Sequence, residues 1–408
     1  MTDRPTELAD APPELEPLLN QVLALAGPDR GSLVARLAWS TFRRVPAERL
    51  ADLDHATTAH MLVDAFGFMD RRDPGTLSLR VYDPTTAQHG WTAAGTVVDA
   101  NLDDGPFLLT TVTEELARLA LEVADVVHPV VGVLRADDGH ITALLPARQA
   151  DTRESWIHLH LQDRLSPEKR EEVSTRLRSV LDDARAATRD FPAMKAQIEE
   201  VAFQTRASGG TRYRPDEVDE TIALLNWLLD DHFVMLGYRE YDIVDTKAGA
   251  AVQVRPGSGM GILAGESTSR WANPVLLTDV EQPLRKRVEG GELLVVSRTN
   301  RASTVHRQTR MIYVGVKKVG GDSQLLGECR FLGLFAQKAY AEPASTIPVL
   351  RRKLRQILEA EDVVDHSHDE RSIRALFEAF PKHELFAADV DTLRQTLVKL
   401  LEAQKGSD

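Results

Sequence analysis

Two blocks of strand-type alternation, over residues 77–162 and 233–335, are separated by a long stretch of helical periodicity. Strand side chains alternate between faces with period two, whereas helical ones recur near 3.6, so the spacer cannot extend either sheet. Each block must satisfy its own backbone N–H and C=O groups, which calls for two separate sheets. The chain has 408 residues, enough for two or three domains of roughly 150 residues. The expected fold class is α+β and multidomain. N-terminal helices lead into a small α/β sandwich, followed by an antiparallel sheet domain and C-terminal helices.

The first dozen residues, with Pro5, Pro12 and Pro13, read as a frayed leader. Helical periodicity over Leu15–Ala26, Ser32–Arg43 and Ala47–Phe66 predicts a cap closed by Asp73-Pro74-Gly75. Strands follow at Leu77–Asp83, Thr96–Leu102, Val126–Arg135, Ile141–Leu145 and Trp156–Gln162. A helix enters after Phe107 and another runs over Ser166–Arg189, giving β-α-β-β-(β)-α with helices on one face. Ser208-Gly209-Gly210 is the expected linker. Beyond it come a helix at Pro215–Asp231 and strands at Phe233–Val244, Ala250–Val254, Glu292–Ser297, Met311–Val319 and Gln324–Phe335. Helices at Ile347–Glu359, Asp369–Phe380 and Asp389–Gln404 end the pattern. The implied divisions are 1–74, 75–206, 207–345 and 346–408.

The net charge of −13 argues against a dedicated nucleic-acid binder, which needs a positive stripe to displace phosphate counterions. One cysteine excludes an internal disulfide or a cysteine zinc cluster and points to a reducing cytoplasm. No apolar run approaches the ~20 residues of a membrane span, and the start Met1-Thr2-Asp3-Arg4-Pro5 is no signal peptide.

Gly259-Met260-Gly261-Ile262-Leu263-Ala264 fits G-x-G-x-x-A, but no helical periodicity follows to hold a pyrophosphate, so it reads as a loop between strands. Trp156, His158, His160 and Gln162 share one strand face, and without an evident third ligand that face is expected to be solvated or interfacial. In His366-Ser367-His368-Asp369, helix capping explains more than metal binding does. Cys329 is expected to be structural and buried. No nucleophile elbow, P-loop or H-E-x-x-H is present, so no catalytic residue and no metal ligand is assigned.

Two features keep a functional and a plain reading side by side. The basic run between Arg285 and Arg330 is either a docking face for an anion or acidic domain, or a solvated sheet face. The turn Asp103-Asp104-Gly105-Pro106-Phe107 joins a strand to a helix N-terminus. There free N–H groups can receive a carboxylate and Asp104 an ammonium group, which is the pattern wanted for a free amino acid. Simple helix capping is the alternative.

Several ordered motifs share a further significance. They are Asp104-Gly-Pro-Phe-Leu108, Phe233–Tyr241, Arg301-Ala-Ser303-Thr-Val-His306-Arg307, Tyr313-Val-Gly-Val-Lys317-Lys318, Gly327-Glu328-Cys-Arg330–Phe335, Ile347–Lys353, Ser367-His368-Asp369 and Glu384-Leu-Phe386. Together, from about residue 75 onward, they resemble the N-terminal segment of the large bacterial NAD-specific glutamate dehydrogenases. Cys329 stands where an arginine is more familiar, and Gln308-Thr309-Arg310 departs from the pattern. The resemblance implies an ACT-like domain followed by a PAS-like sheet, with regulatory and assembly roles. Family members are much longer, and their catalytic cleft and nucleotide-binding domain lie downstream, so no catalytic residue carries over. NAD is implied for the whole enzyme and no cofactor for this chain. Expected partners are the catalytic portion, neighbouring subunits and an amino-acid effector; a module acting in trans on another protein is the alternative.

Overall fold

The computed structural model describes residues 11–405; most of the expected leader lies outside them. Contacts divide the chain into two compact units, Met1–Asp182 with Thr304–Arg307, and Asp183–Ser303 with Gln308–Asp408.

In the first unit α1 (Glu16–Phe42) bends at Gly27, whose φ of 72° precedes Pro28; the bend explains the two periodic stretches in the sequence. A short α2 (Ala47–Ala51) leads to α3 (His55–Asp70), where the Asp54 carboxylate accepts from the N–H groups of Ala56 and Thr57 at 3.1 and 3.2 Å. The remaining elements are β1 (Ser78–Tyr82), α4 (Thr86–His89), β2 (Val97–Asp103), α5 (Leu108–Arg118), β3 (Val123–Val127), β4 (Val130–Arg135), β5 (Ile141–Pro146) and β6 (Arg153–Leu161). All pairings are antiparallel, in the order β1-β2-β6-β4-β5, with β3 also on β6. The single strand expected at 126–135 is two, broken at His128-Pro129, where proline has no N–H for the ladder.

Leu18, Leu19 and Val22 of α1 and Leu62 and Phe66 of α3 share a core with Val97, Val131, Val133 and Trp156. Val98, Ala100, Leu102, Ile157 and Leu159 on the opposite face are buried as well. Both faces are covered, where the sequence suggested helices on one.

The helix α6 (Pro167–Ser208) is continuous, and the division between the units falls inside it. The expected linker is instead the end of α6 followed by a tight turn, Gly209–Thr211. The Ser323 hydroxyl donates to the Thr211 carbonyl at 2.8 Å and the Arg212 guanidinium to the Ser323 carbonyl at 3.1 Å, so this segment is pinned.

The second unit contains α7 (Pro215–Trp227), β7 (Phe233–Thr246), β8 (Gly249–Val254), β9 (Met260–Gly261), β10 (Val275–Leu276), α8 (Gln282–Glu289), β11 (Leu294–Ala302), β12 (Arg310–Val319) and β13 (Leu325–Phe335). Five helices follow: α9 (Gln337–Ala341), α10 (Leu350–Ala360), α11 (His368–Ala379), α12 (Lys382–Ala387) and α13 (Val390–Lys405). The antiparallel sheet has the order β10-β8-β7-β13-β12-β11, with β9 on β7. Strand alternation sends Val314, Val316, Cys329 and Phe331 into a core with Ile198, Leu225, Leu354, Phe377 and Leu397. The other face carries a smaller cluster that includes Tyr241, Val252, Trp271 and Val280. Among the described residues no helix is long and apolar enough to cross a membrane.

Candidate functional site

The turn singled out in the sequence joins β2 to α5. Phe107 occupies the N-cap position with φ of 69°, and no side chain caps the helix. The two acidic residues therefore do something other than capping. Arg72 donates to Asp103 at 2.6 Å, and its guanidinium also reaches Glu154 at 2.7 Å. The Asp104 carboxylate accepts from the Ser155 hydroxyl at 2.7 Å, while its own N–H donates to the Arg153 carbonyl at 2.9 Å. His128 Nε2 lies 3.2 Å from Ser155 Oγ. Burial lowers the His128 pKa, against the pull of Asp104. The first unit also includes Thr304–Arg307. His306, at φ of 65°, donates its N–H to Thr111 Oγ1 at 3.0 Å, and its ring lies 4.5 Å from that of Phe107. Phe107 and His306, far apart in sequence, are thereby brought together.

Behind the turn, the strand face of Trp156, His158 and His160 is closed by a buried carboxylate. This corrects the expectation of a solvated or interfacial face at Trp156 and His158, which are 0% and 1% exposed beside a fully buried Asp99, while His160 is half-buried and Gln162 exposed. Asp99 Oδ1 accepts from Trp156 Nε1 at 3.0 Å and lies 2.6 Å from His158 Nδ1. Its other oxygen accepts from Arg80 Nε at 2.8 Å. Arg80 also donates to Asp64 of α3 at 2.9 Å, and Tyr82 OH sits 3.0 and 3.1 Å from oxygens of Asp99 and Asp64.

Burial alone would raise the Asp99 pKa. His158, Arg80 and the Trp156 N–H outweigh it and hold the carboxyl well below the usual carboxylate range. His158 Nε2 lies 2.8 Å from His160 Nε2, so the two imidazoles spend these nitrogens on each other. No group of three or more His, Cys, Asp or Glu able to hold a metal occurs among the described residues. The signal that could have exposed this network is an aspartate in an otherwise apolar strand, Val97-Val98-Asp99-Ala100.

In the second unit, four motif residues converge. Tyr313 and Lys317 of β12 lie beside Glu328 and Arg330 of β13. Lys317 Nζ donates to Glu328 Oε2 at 3.0 Å, Tyr313 OH donates to Oε1, and an Arg330 nitrogen is 3.4 Å from Oε1. Lys318 points to the opposite face and pairs with Glu240 and Asp242 at 2.8 and 2.6 Å. The basic run divides between faces: the pleat sends Lys317 and Lys318 in opposite directions, while Arg298, Arg301 and Arg310 are exposed. Ser303 is buried and Arg307 half-buried.

The glycine-rich segment is a loop, as expected. Arg239 Nε donates to the Leu263 carbonyl at 3.0 Å and a second Arg239 nitrogen to that of Gly265 at 2.9 Å. A Cβ at Gly261, where φ is 57°, would lie 2.1 Å from the Leu236 carbonyl oxygen. These glycines serve close backbone packing, with no helix to receive a phosphate. Ser367 caps α11 by accepting from the Glu370 N–H at 3.1 Å, with His368 and Asp369 in its first turn.

Cys329 is buried, and burial pushes its thiol up to about 12. In the native chain it should fail to react with Ellman's reagent at pH 8 and react fully in denaturant. Rapid native labelling would contradict this burial.

The fold defines a class: an α+β multidomain protein with two antiparallel sheets, each packed against helices. A glutamate dehydrogenase ACT1 domain family model matches residues 37–177, and a glutamate dehydrogenase helical motif 1 model matches residues 347–406. NAD-specific glutamate dehydrogenase of Halomonas elongata is 28% identical over 382 residues, covering 92% of this chain and 23% of that protein. The Pseudomonas aeruginosa protein of the same description is 27% identical over 361 residues, covering 88% of this chain and 22% of its own length. For Mycobacterium tuberculosis the figures are 26% over 302 residues, 73% and 17%. The chain is thus similar to one part of the NAD-specific glutamate dehydrogenases, and two glutamate dehydrogenase domain models match within it. It spans less than a quarter of the length of these relatives.

Proposed function

We propose that this chain is the regulatory and assembly segment of an NAD-dependent glutamate dehydrogenase. The whole enzyme would convert L-glutamate, NAD and water into 2-oxoglutarate, ammonium and NADH in the cytoplasm. Hydride transfer and NAD binding belong, in this reading, to the catalytic portion. The present chain senses an amino acid and packs, through its ACT-type and PAS-like parts, against that portion or neighbouring subunits. The ACT1 match over residues 37–177 carries the reading, because it spans the strand-to-helix turn at Asp103–Phe107.

The chemistry of the turn supports it. The first N–H groups of a helix lack intrahelical partners and suit a carboxylate. Asp104 accepts from a neutral hydroxyl, so an ammonium group would gain a charge-assisted bond there. An effector that binds one arrangement of the assembly more tightly than another shifts the balance between them.

Calorimetry of the chain against the common amino acids tests this. At least one should bind with saturation at millimolar concentration or below, and Asp104→Ala should weaken it about tenfold or more. If no amino acid gives saturable heat, sensing by this chain is wrong and only the assembly role remains.

A further inference from the structure

The second unit holds a cavity of about 450 Å³ on the face of its sheet that points away from the main core. Tyr241, Trp271, Tyr313, Lys317, Glu328 and Arg330 make its walls. Strand alternation alone places Tyr313 with Lys317 and Glu328 with Arg330, and the register sets Glu328 opposite Tyr241 and Lys317 opposite Glu328.

Among the described lining residues the charges do not cancel. Lys317 and Arg330 are cations, and Glu328 is the one carboxylate among the described lining residues. Arg270, also lining the cavity, adds a third positive charge. Glu328 is already divided between Lys317 Nζ at 3.0 Å and the Tyr313 hydroxyl, which leaves its contact with Arg330 long, at 3.4 Å. Arg330 donates to Tyr241 OH at 3.1 Å, and its Nε makes no hydrogen bond among the described residues. Next to low-dielectric aromatic walls, an excess of positive charge attracts an anion more strongly than it would in water.

The same walls hold the guanidinium in place. Arg330 Cζ lies 4.1 Å from the Tyr241 ring centroid and 4.9 Å from that of Tyr313. Trp271 packs edge-on to Tyr241, with ring centroids 5.2 Å apart. Gly315 makes room for the Tyr313 ring, since a Cβ there would lie 2.5 Å from the Tyr313 hydroxyl oxygen. The cation is therefore pre-positioned, and the apolar part of the wall favours a ligand with an apolar body over a fully hydrated ion.

We propose that this cavity binds a small organic carboxylate, with the carboxylate at Arg330 and Lys317 and a planar apolar body against Trp271 and Tyr241. The site is separate from the amino-acid turn proposed on the first unit and stands whether or not that turn binds an effector.

Calorimetry with benzoate on the full chain tests the proposal, with benzamide and inorganic phosphate as the uncharged and the non-organic comparisons. Benzoate should bind saturably and at least about tenfold more tightly than either. Arg330→Met should weaken benzoate about tenfold or more, whereas Glu328→Gln removes the competing carboxylate and should strengthen it severalfold. The opposite signs separate a charge effect from general damage, with thermal melts reporting that each variant is folded. If Arg330→Met does not fold, Glu328→Gln decides alone. Should that variant fail to fold too, the comparison of benzoate with benzamide decides. No saturable benzoate binding, benzamide matching benzoate, or folded Glu328→Gln leaving benzoate unchanged or weaker each overturns the proposal. Phosphate matching benzoate overturns the organic part of it.

Discussion

Asp99→Asn should cost the first unit about 3–5 kcal/mol, a drop in Tm of roughly 6–20 °C. The side chain is fully buried and joins α3, β1, β2 and β6 through Arg80, Tyr82, Trp156 and His158. An amide removes the negative charge facing Arg80 and turns at least one donor toward a ring of donors, so the loss exceeds that of a surface ion pair. Chemical denaturation of the two chains side by side is the measurement. A difference below about 1 kcal/mol would mean that the network contributes little.

Asp99 also fixes a pH dependence. The native Asp99 carboxyl lies well below its unfolded value, because His158 and Arg80 outweigh the effect of burial. Its contribution is therefore fully present above the unfolded pKa of about 4 and is lost as pH falls from there toward the native value. The stability gap between wild type and Asp99→Asn should be constant from pH 7 to about 5 and narrow below about 4. A gap that widens on acidification would contradict the assignment.

In the second unit, Lys353→Met should cost about 3 kcal/mol. The Lys353 ammonium donates to the carbonyls of Leu385, Phe386 and Ala388 at 3.0, 2.8 and 2.6 Å, closing the end of α12. Burial pushes its pKa down to about 8, so it still carries its proton at neutral pH and offers three donors to three acceptors. Methionine fills similar space but leaves those carbonyls without this donor. Loss of global stability, with faster amide exchange over residues 382–405, would bear this out; a change under about 1 kcal/mol would sink it.

Most of the strands were legible because alternation is a local property. Met311–Val319 is found as Arg310–Val319, and Phe233–Val244 as Phe233–Thr246. The break at His128-Pro129 was missed because apolar residues flank it on both sides and hide the one lost N–H. Ser208-Gly209-Gly210 looked like a linker from composition, yet Thr211 and Arg212 bind Ser323 from another part of the chain. The convergence of Tyr313, Lys317, Glu328 and Arg330 was half legible: spacing placed members of each pair on one face, but not β12 beside β13.

Residue type and short-range spacing suffice for the two sheets, the helices around them, the charge balance and the family resemblance. The fate of the polar side chains on those strands depends instead on long-range packing. Asp99 and His158 belong to one polar network, and Lys317 and Arg330 share a cavity, while Arg298 and Arg301 face water. A period of two assigns a side chain to a face; only packing decides whether a helix, a ring or solvent covers that face, and so whether its charge is screened or strong.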